Sequence, residues 1–198
     1  MKGLIKWIIL ALIIFGLTFG GAYYYQQSMN KKLGGQVQSI ATASLQGLRE
    51  EKRLTAFAES FTALVGGEPT IVMPGLVRYE VDLTKMQPRD VKWDDKSRTL
   101  NVVLPPLILS GPEVDTESIR KVGEGGVLTA LTDPEATLDA AILKRGQDDL
   151  LKQAKGEGPI GLARDAGRKA IERSFAMPLR AAGIKAAVVA TFTDEQGI

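Results

Sequence analysis

Leu76-Val77-Arg78-Tyr79-Glu80-Val81-Asp82-Leu83 is the stretch on which the fold turns. Val77, Tyr79, Val81 and Leu83 recur every second residue, with Arg78, Glu80 and Asp82 between them. Successive side chains of a strand leave on opposite faces, so the alternation predicts a strand with one apolar and one wet face. Upstream, Pro74-Gly75 predicts a break and Thr70–Met73 a separate short strand, after a turn at Gly67-Glu68-Pro69. Leu54–Val65 supports two readings. Leu54, Phe57, Ala58, Phe61 and Val65 lie on a helical stripe, while the Thr, Phe and Val content suits a strand.

Downstream, Asp82–Lys85 begins a turn that Pro88 continues. Val91-Lys92-Trp93 is extended, Asp94–Ser97 is a polar hairpin tip and Thr99–Leu104 is a strand. Pro105-Pro106 has no N–H to offer a ladder and stops it. Leu107–Leu109 resumes the extension until Gly111-Pro112 breaks it. The period then changes. Asp133 is a good N-cap, with Pro134 at N1 and Glu135 on the positive end of the helix dipole, so a helix is expected from there to about Ala154. Lys155–Pro159 interrupts it. A second helix then gathers Ala163, Gly167, Ala170, Ile171, Ser174, Phe175 and Pro178 on one face. Pro178 kinks or ends that helix, Gly183 caps it, and Ala186–Phe192 closes the chain as a strand. The expected fold class is α+β, an antiparallel β-sheet packed with two C-terminal helices and a closing strand.

Trp7–Tyr25 carries no charge and is mostly Ile, Leu, Phe, Ala and Gly. Extended back to Leu4, it matches the roughly 30 Å hydrocarbon thickness of a bilayer at 1.5 Å per helical residue. Lys2 and Lys6 flank one side, and Trp7 and Tyr23–Tyr25 mark the two interfaces. Gly20-Gly21-Ala22 could mimic a signal-peptide cleavage site, but the run is too long and the tyrosines too bulky for that to be the preferred reading. Residues 1–25 are therefore expected to be a transmembrane signal anchor, with lipid contacts through residues 4–25. The N-terminal charges favour a cytoplasmic N-terminus, although Lys31 and Lys32 oppose it. The body is expected outside the cytoplasm, on a single-pass protein of the inner (plasma) membrane, and in the periplasm of a Gram-negative cell envelope. Residues 26–47, rich in Gln, Ser, Gly and Ala, are expected to be a spacer. Val37, Ile40, Ala41, Ser44, Leu45 and Leu48 nonetheless recur near helical spacing. Residues 48–198 are the extracytoplasmic α+β domain.

The chain holds no His and no Cys among its 198 residues. This removes histidine triads, cysteine nucleophiles, zinc fingers, iron–sulfur clusters and disulfides. A net charge of +2, from 25 Lys and Arg against 23 Asp and Glu, gives no argument for nucleic acid. Asp94-Asp95 and Asp148-Asp149 are expected to be solvated structural pairs, and Asp82 to fix the turn at Thr84. Gly123–Gly126 and Gly156-Glu157-Gly158 lack the Lys-Ser/Thr of a phosphate loop. Ser110-Gly111 has no histidine-type base near it. No catalytic, cofactor-binding or metal residue is nominated, and no cofactor. Ten basic residues lie between Lys144 and Lys185 against five acidic ones, while Glu113–Asp139 is acidic. The basic run suits a solvated helix face first, and contact with anionic lipid or a partner protein second.

Val77–Leu83, Trp93-Asp94, Leu104-Pro105-Pro106 and Gly111–Asp115 together resemble the family called domain of unknown function 4230. Gly161–Ala166 and Pro178–Ile184 resemble its helical part, and the likeness spans Leu48 to Thr193. The resemblance implies an extracytoplasmic α+β domain on a membrane anchor, favours a strand at Leu54–Val65, and carries no activity with it. The expected function is a non-enzymatic interaction or structural module of the envelope, with a protein partner or a second copy as its target. The alternative is a tethered lipid or apolar-ligand binding domain, for which Ala- and Gly-rich helices would leave room between layers. A hydrolase working through carboxylates or Ser–Lys ranks last.

Overall fold

A computed structural model describes residues 32–66, 70–122, 128–130 and 139–195. In chain order the elements are α1 (32–50), β1 (Arg53–Val65), β2 (Thr70–Asp82), β3 (Val91–Asp94), β4 (Thr99–Leu104) and β5 (Leu107–Val114). They continue as β6 (Arg120–Val122), β7 (Leu128–Ala130), α2 (Ala140–Ala154), α3 (Glu157–Ala181) and β8 (Ala187–Phe192). The body is α+β, as expected. The proposed anchor at 1–25, the turn at 67–69 and the loop at 123–126 lie outside the described residues. Among the described residues no helix is long and apolar enough to cross a membrane.

β2 is the trunk of the larger sheet. Its burial alternates along its whole length, and Met73, Val77, Tyr79 and Val81 are fully enclosed. One edge pairs antiparallel with β1; the other pairs antiparallel with β5 over Gly75–Val81 and with β6 over Thr70–Val72. β7 extends the sheet from β6. The break predicted at Pro74-Gly75 does not occur, because the strand runs straight through. Pro74 sits where the partner changes from β6 to β5. Its carbonyl accepts the Asp115 N–H at 3.1 Å, and its ring nitrogen, on the same side, faces a position where no ladder donor is needed. Gly111-Pro112 likewise falls inside β5 instead of ending it. The register between β2 and β5 shifts between Leu76 and Arg78, and Gly111 takes φ +107° there, with Leu76 carbonyl 2.9 Å from where a Cβ would stand.

Leu54–Val65 is strand, and its helical stripe has a local cause. The register of β1 on β2 shifts between Thr55 and Phe57, inserting one residue. The bulge turns a three-residue step from Leu54 to Phe57 into one face, after which Phe57, Glu59, Phe61, Ala63 and Val65 follow at period two. The positions common to both patterns create the ambiguity.

The smaller sheet corrects the expectation of one antiparallel sheet. β3 and β4 form the predicted hairpin, but β8 joins β4 in parallel, from Thr99 opposite Ala187 to Leu104 opposite Phe192. Residues 32–50, assigned mostly to the spacer, form α1 and cover this sheet. Val37 and Ala41 are fully buried and Leu45 is 2% exposed, in one cluster with Met86, Val91, Leu100 and Val102. The i, i+4, i+8 repeat of small and medium apolar side chains gives α1 a narrow stripe that only a packed helix uses. The Gln38 side-chain amide donates to the Val91 carbonyl at 3.4 Å.

α2 begins at Ala140, where Asp139 is extended and its carboxylate accepts the Ala141 N–H at 3.3 Å; the expected cap at Asp133 lies outside the described residues. α3 runs past Pro178 to Ala181. Pro178 lies close to the C-terminus, so the missing donor interrupts only one late bond. Gly183, at φ +75°, donates to the Arg180 carbonyl and Ile184 to that of Leu179, the paired bonds of a Schellman stop. The buried face of α3 is Ala163, Gly167, Ile171, Phe175 and Leu179.

Glycines set how close the layers come. A Cβ on Gly75 would lie 2.6 Å from Leu150 Cδ1, and one on Gly146 would collide with Met73. A Cβ on Gly167 would meet Phe192 Cζ at 3.2 Å and Ala56 Cβ at 3.4 Å. The small residues thus draw helices onto the sheets, and at these crossings no interlayer space remains.

Two outcomes are expected in chemical denaturation. Leu45→Ala should lose about 2–5 kcal/mol, the range for emptying a core leucine site; a change within about 0.5 kcal/mol would mean α1 is not part of the core. Gly167→Leu should lose about 1–3 kcal/mol or more by overpacking. Gly161→Ala, on the same helix with open space around it, should gain up to about 1 kcal/mol.

Candidate functional site

Two of the carboxylates singled out by sequence, Asp82 and Asp94, fix turns. Asp82 accepts the Thr84 N–H at 3.1 Å and its hydroxyl at 2.5 Å, and the Thr84 hydroxyl, then its N–H, hold the carboxyl below its usual range. Asp94 accepts the Ser97 hydroxyl at 2.7 Å and the Lys96 N–H at 3.0 Å, which lower its pKa in that order. Asp95 accepts the Trp93 indole N–H at 2.6 Å. Asp149 accepts the Gln153 side-chain amide at 2.9 Å. Asp94, Asp95 and Asp149 are thus each held in local hydrogen bonds. Gly156 is the N-cap of α3. Among the described residues no three carboxylates gather where a metal ion could sit.

A polar pair the sequence did not signal lies beneath α2 and α3. Tyr79 is fully buried and its hydroxyl donates to the Ala154 carbonyl, at the C-terminal end of α2, at 2.9 Å. Burial, then the Glu59 carboxylate, pushes its pKa up to about 12. One Glu59 oxygen is buried without a hydrogen-bond partner among the described residues. Its pairing opposite Val77, on the apolar face of β1, is visible only once the bulge is known.

The basic run divides into two populations along α3. Near its start, Arg168 donates to both Glu195 oxygens at 2.7 and 2.8 Å and also to Asp165, while Arg164 donates to Asp194. Burial pushes Glu195 up, but the Arg168 guanidinium and the Phe192 N–H overcome it and the net pKa is lowered. Further along, Lys169, Arg173 and Arg180 are exposed and make no ion pair among the described residues. Spacings of four and seven residues put them on one helix face with Met177, which is 66% exposed.

That face forms one wall of a cleft of about 330 Å³ whose other wall is the start of β8, Ala186–Val188. A second opening of about 560 Å³ continues around the turn past Gly183 and Lys185. Glu172 belongs to the same wall, but its carboxylate accepts the Ala190 N–H at 3.1 Å. Glu195 accepts the Phe192 N–H at 3.2 Å. These two carboxylates close the outward edge of β8 against further strands. The cleft is thus cationic on the helix side, apolar at its floor, and suited to hold an anionic group by charge.

A family model described as Protein of unknown function (DUF4230) matches residues 25–189. No curated protein and no solved structure matches the chain.

Tyr79 yields a pH test. Its folded pKa is raised, so the unfolded chain releases this proton first and stability falls as pH climbs from about 10 towards 12. Tyr79→Phe should lose about 1 kcal/mol at neutral pH with the hydrogen bond. Its deficit relative to the parent should shrink steadily above pH 10. A constant deficit in urea melts across that window would refute the assignment.

Proposed function

The chain belongs to this family, from which no activity is inherited, and we propose from its own residues that it is a single-pass, membrane-anchored envelope protein. Its α+β body acts outside the cytoplasm as a non-enzymatic interaction module. What supports the reading is α1. Its described part begins six residues after the charge-free stretch Trp7–Tyr25, and its apolar stripe is locked into the core. A span formed by that stretch would hold the body at a short, fixed distance from the bilayer instead of on a slack tether. A body held in this way suits the contact of one surface with one neighbour. Its working surface is the cationic cleft between α3 and β8, where Lys169, Arg173 and Arg180, without an ion pair among the described residues, await an anion.

Membrane fractions of cells making the full chain should retain it through an alkaline carbonate wash, and deletion of residues 1–25 should release it. Full-length chain in the supernatant would end the anchored reading. A reporter active only in the cytoplasm, fused after Ile198, should stay silent; activity would reverse the orientation.

A further inference from the structure

Three parts of the fold meet at one end of the body. Gly34, near the start of α1, lies against the β3–β4 hairpin, where a Cβ would stand 3.4 Å from Trp93 Cδ1 and 3.2 Å from Asp95 Oδ1. The hairpin tip is tied to β8 through the Ala187 N–H, which donates to the Arg98 carbonyl at 3.1 Å. The α3–β8 turn therefore stands beside the tip, and Arg180 and Lys185 flank its cleft.

This end carries an excess of positive charge. Lys32, Lys96, Arg98, Arg180 and Lys185 are exposed there and make no ion pair among the described residues. Asp94 and Asp95 are the carboxylates among them, and both are bound within the hairpin. At the opposite end of β8, Arg164 and Arg168 are ion-paired with Asp194 and Glu195. Lys32, Lys96, Arg98, Arg180 and Lys185 thus form one set of exposed cations at the end from which the chain leads to residue 31.

Six residues, 26–31, separate Tyr25 from the described part of α1. Fully extended, they span at most about 20 Å. A body on so short a link cannot turn this end away from a bilayer that holds Trp7–Tyr25. The headgroup plane then lies within about 20 Å of residue 32, a gap that long Lys and Arg side chains narrow towards the ~8–10 Å screening length.

We propose that this cationic end docks on the anionic lipid surface of the membrane that the N-terminal stretch enters, with headgroup phosphates received between Arg180 and Lys185. The inference rests on the anchored reading and adds to it an orientation and a ligand class. Each cation within the headgroup field contributes roughly a fivefold factor, so several together favour the docked state.

The absence of cysteine makes the test direct, since one introduced cysteine is labelled uniquely. The full chain is reconstituted in nanodiscs of phosphatidylcholine, alone or with roughly a third phosphatidylglycerol. A donor dye is placed at Ala182→Cys, beside the turn, or at Gly161→Cys, about 30 Å away along α3. Energy transfer to an acceptor on the headgroups should rise about twofold or more at Ala182→Cys on anionic discs, and much less at Gly161→Cys. High salt should reverse the rise, and so should the triple change Lys96→Glu, Arg98→Glu, Lys185→Glu. Equal transfer on neutral and anionic discs, with the chain incorporated in both, overturns the docking and leaves the anchor intact. Failure to incorporate in either disc overturns the anchor itself. A rise that the triple change leaves intact assigns the contact to other residues and also overturns the docking.

Discussion

Everything in the larger sheet depends on β2 keeping its alternation over thirteen residues without a slip. Three strands pair with it, and both C-terminal helices pack over the face it shares with β1. A one-residue shift would turn Met73, Val77, Tyr79 and Val81 to solvent at once and set Arg78 and Glu80 under the helices. The irregular features are placed where they do not disturb that face. The bulge falls on β1, the positive-φ glycine on β5, and the proline at a gap between two partners.

Period-two patterning on β2, the β3–β4 tip, the diproline stop before β5, the face of α3 and its glycine cap were all legible in the sequence, because each is set by neighbours within a few residues. What escaped was non-local. Pro74-Gly75 and Gly111-Pro112 look like breaks in isolation and are strand positions only because of who pairs beside them. The bulge at Ala56 made a strand look helical. The parallel union of β4 with β8 joins segments more than eighty residues apart, which no local signal carries. The cap of α2 at Asp139 was not singled out, because by composition alone it does not stand out from Asp133. At the candidate site, the basic residues were visible as a run, but their division into paired and unpaired groups needed the position of Asp194 and Glu195.

α1 shows how composition can mislead. Its Gln, Ser and Gly residues have the profile of a linker, and they lie largely on the outer side of the helix. The core needs only Val37, Ala41 and Leu45, a stripe too thin to raise the hydrophobicity of the segment. Ala41 allows close approach to the sheet, as Gly146 and Gly167 do for the other helices. The segment assigned to distance-keeping is thus the element that makes the smaller sheet a closed layer.

A nearly balanced charge count conceals an asymmetry in how the charges are used. Asp82, Asp94, Asp115 and Asp139 each accept the N–H of a following turn, and Glu172 and Glu195 accept the outward N–H groups of β8. These carboxylates are fixed to the backbone by bonds that would have to break before they could turn to a ligand. Lys169, Arg173, Arg180 and Lys185 are exposed, stand on flexible stems, and are free to turn. At a distance the field of the body is close to neutral. Within the reach of a lysine or arginine side chain it is positive along α3 and its C-terminal turn, so an anion is selected by contact there instead of by long-range steering.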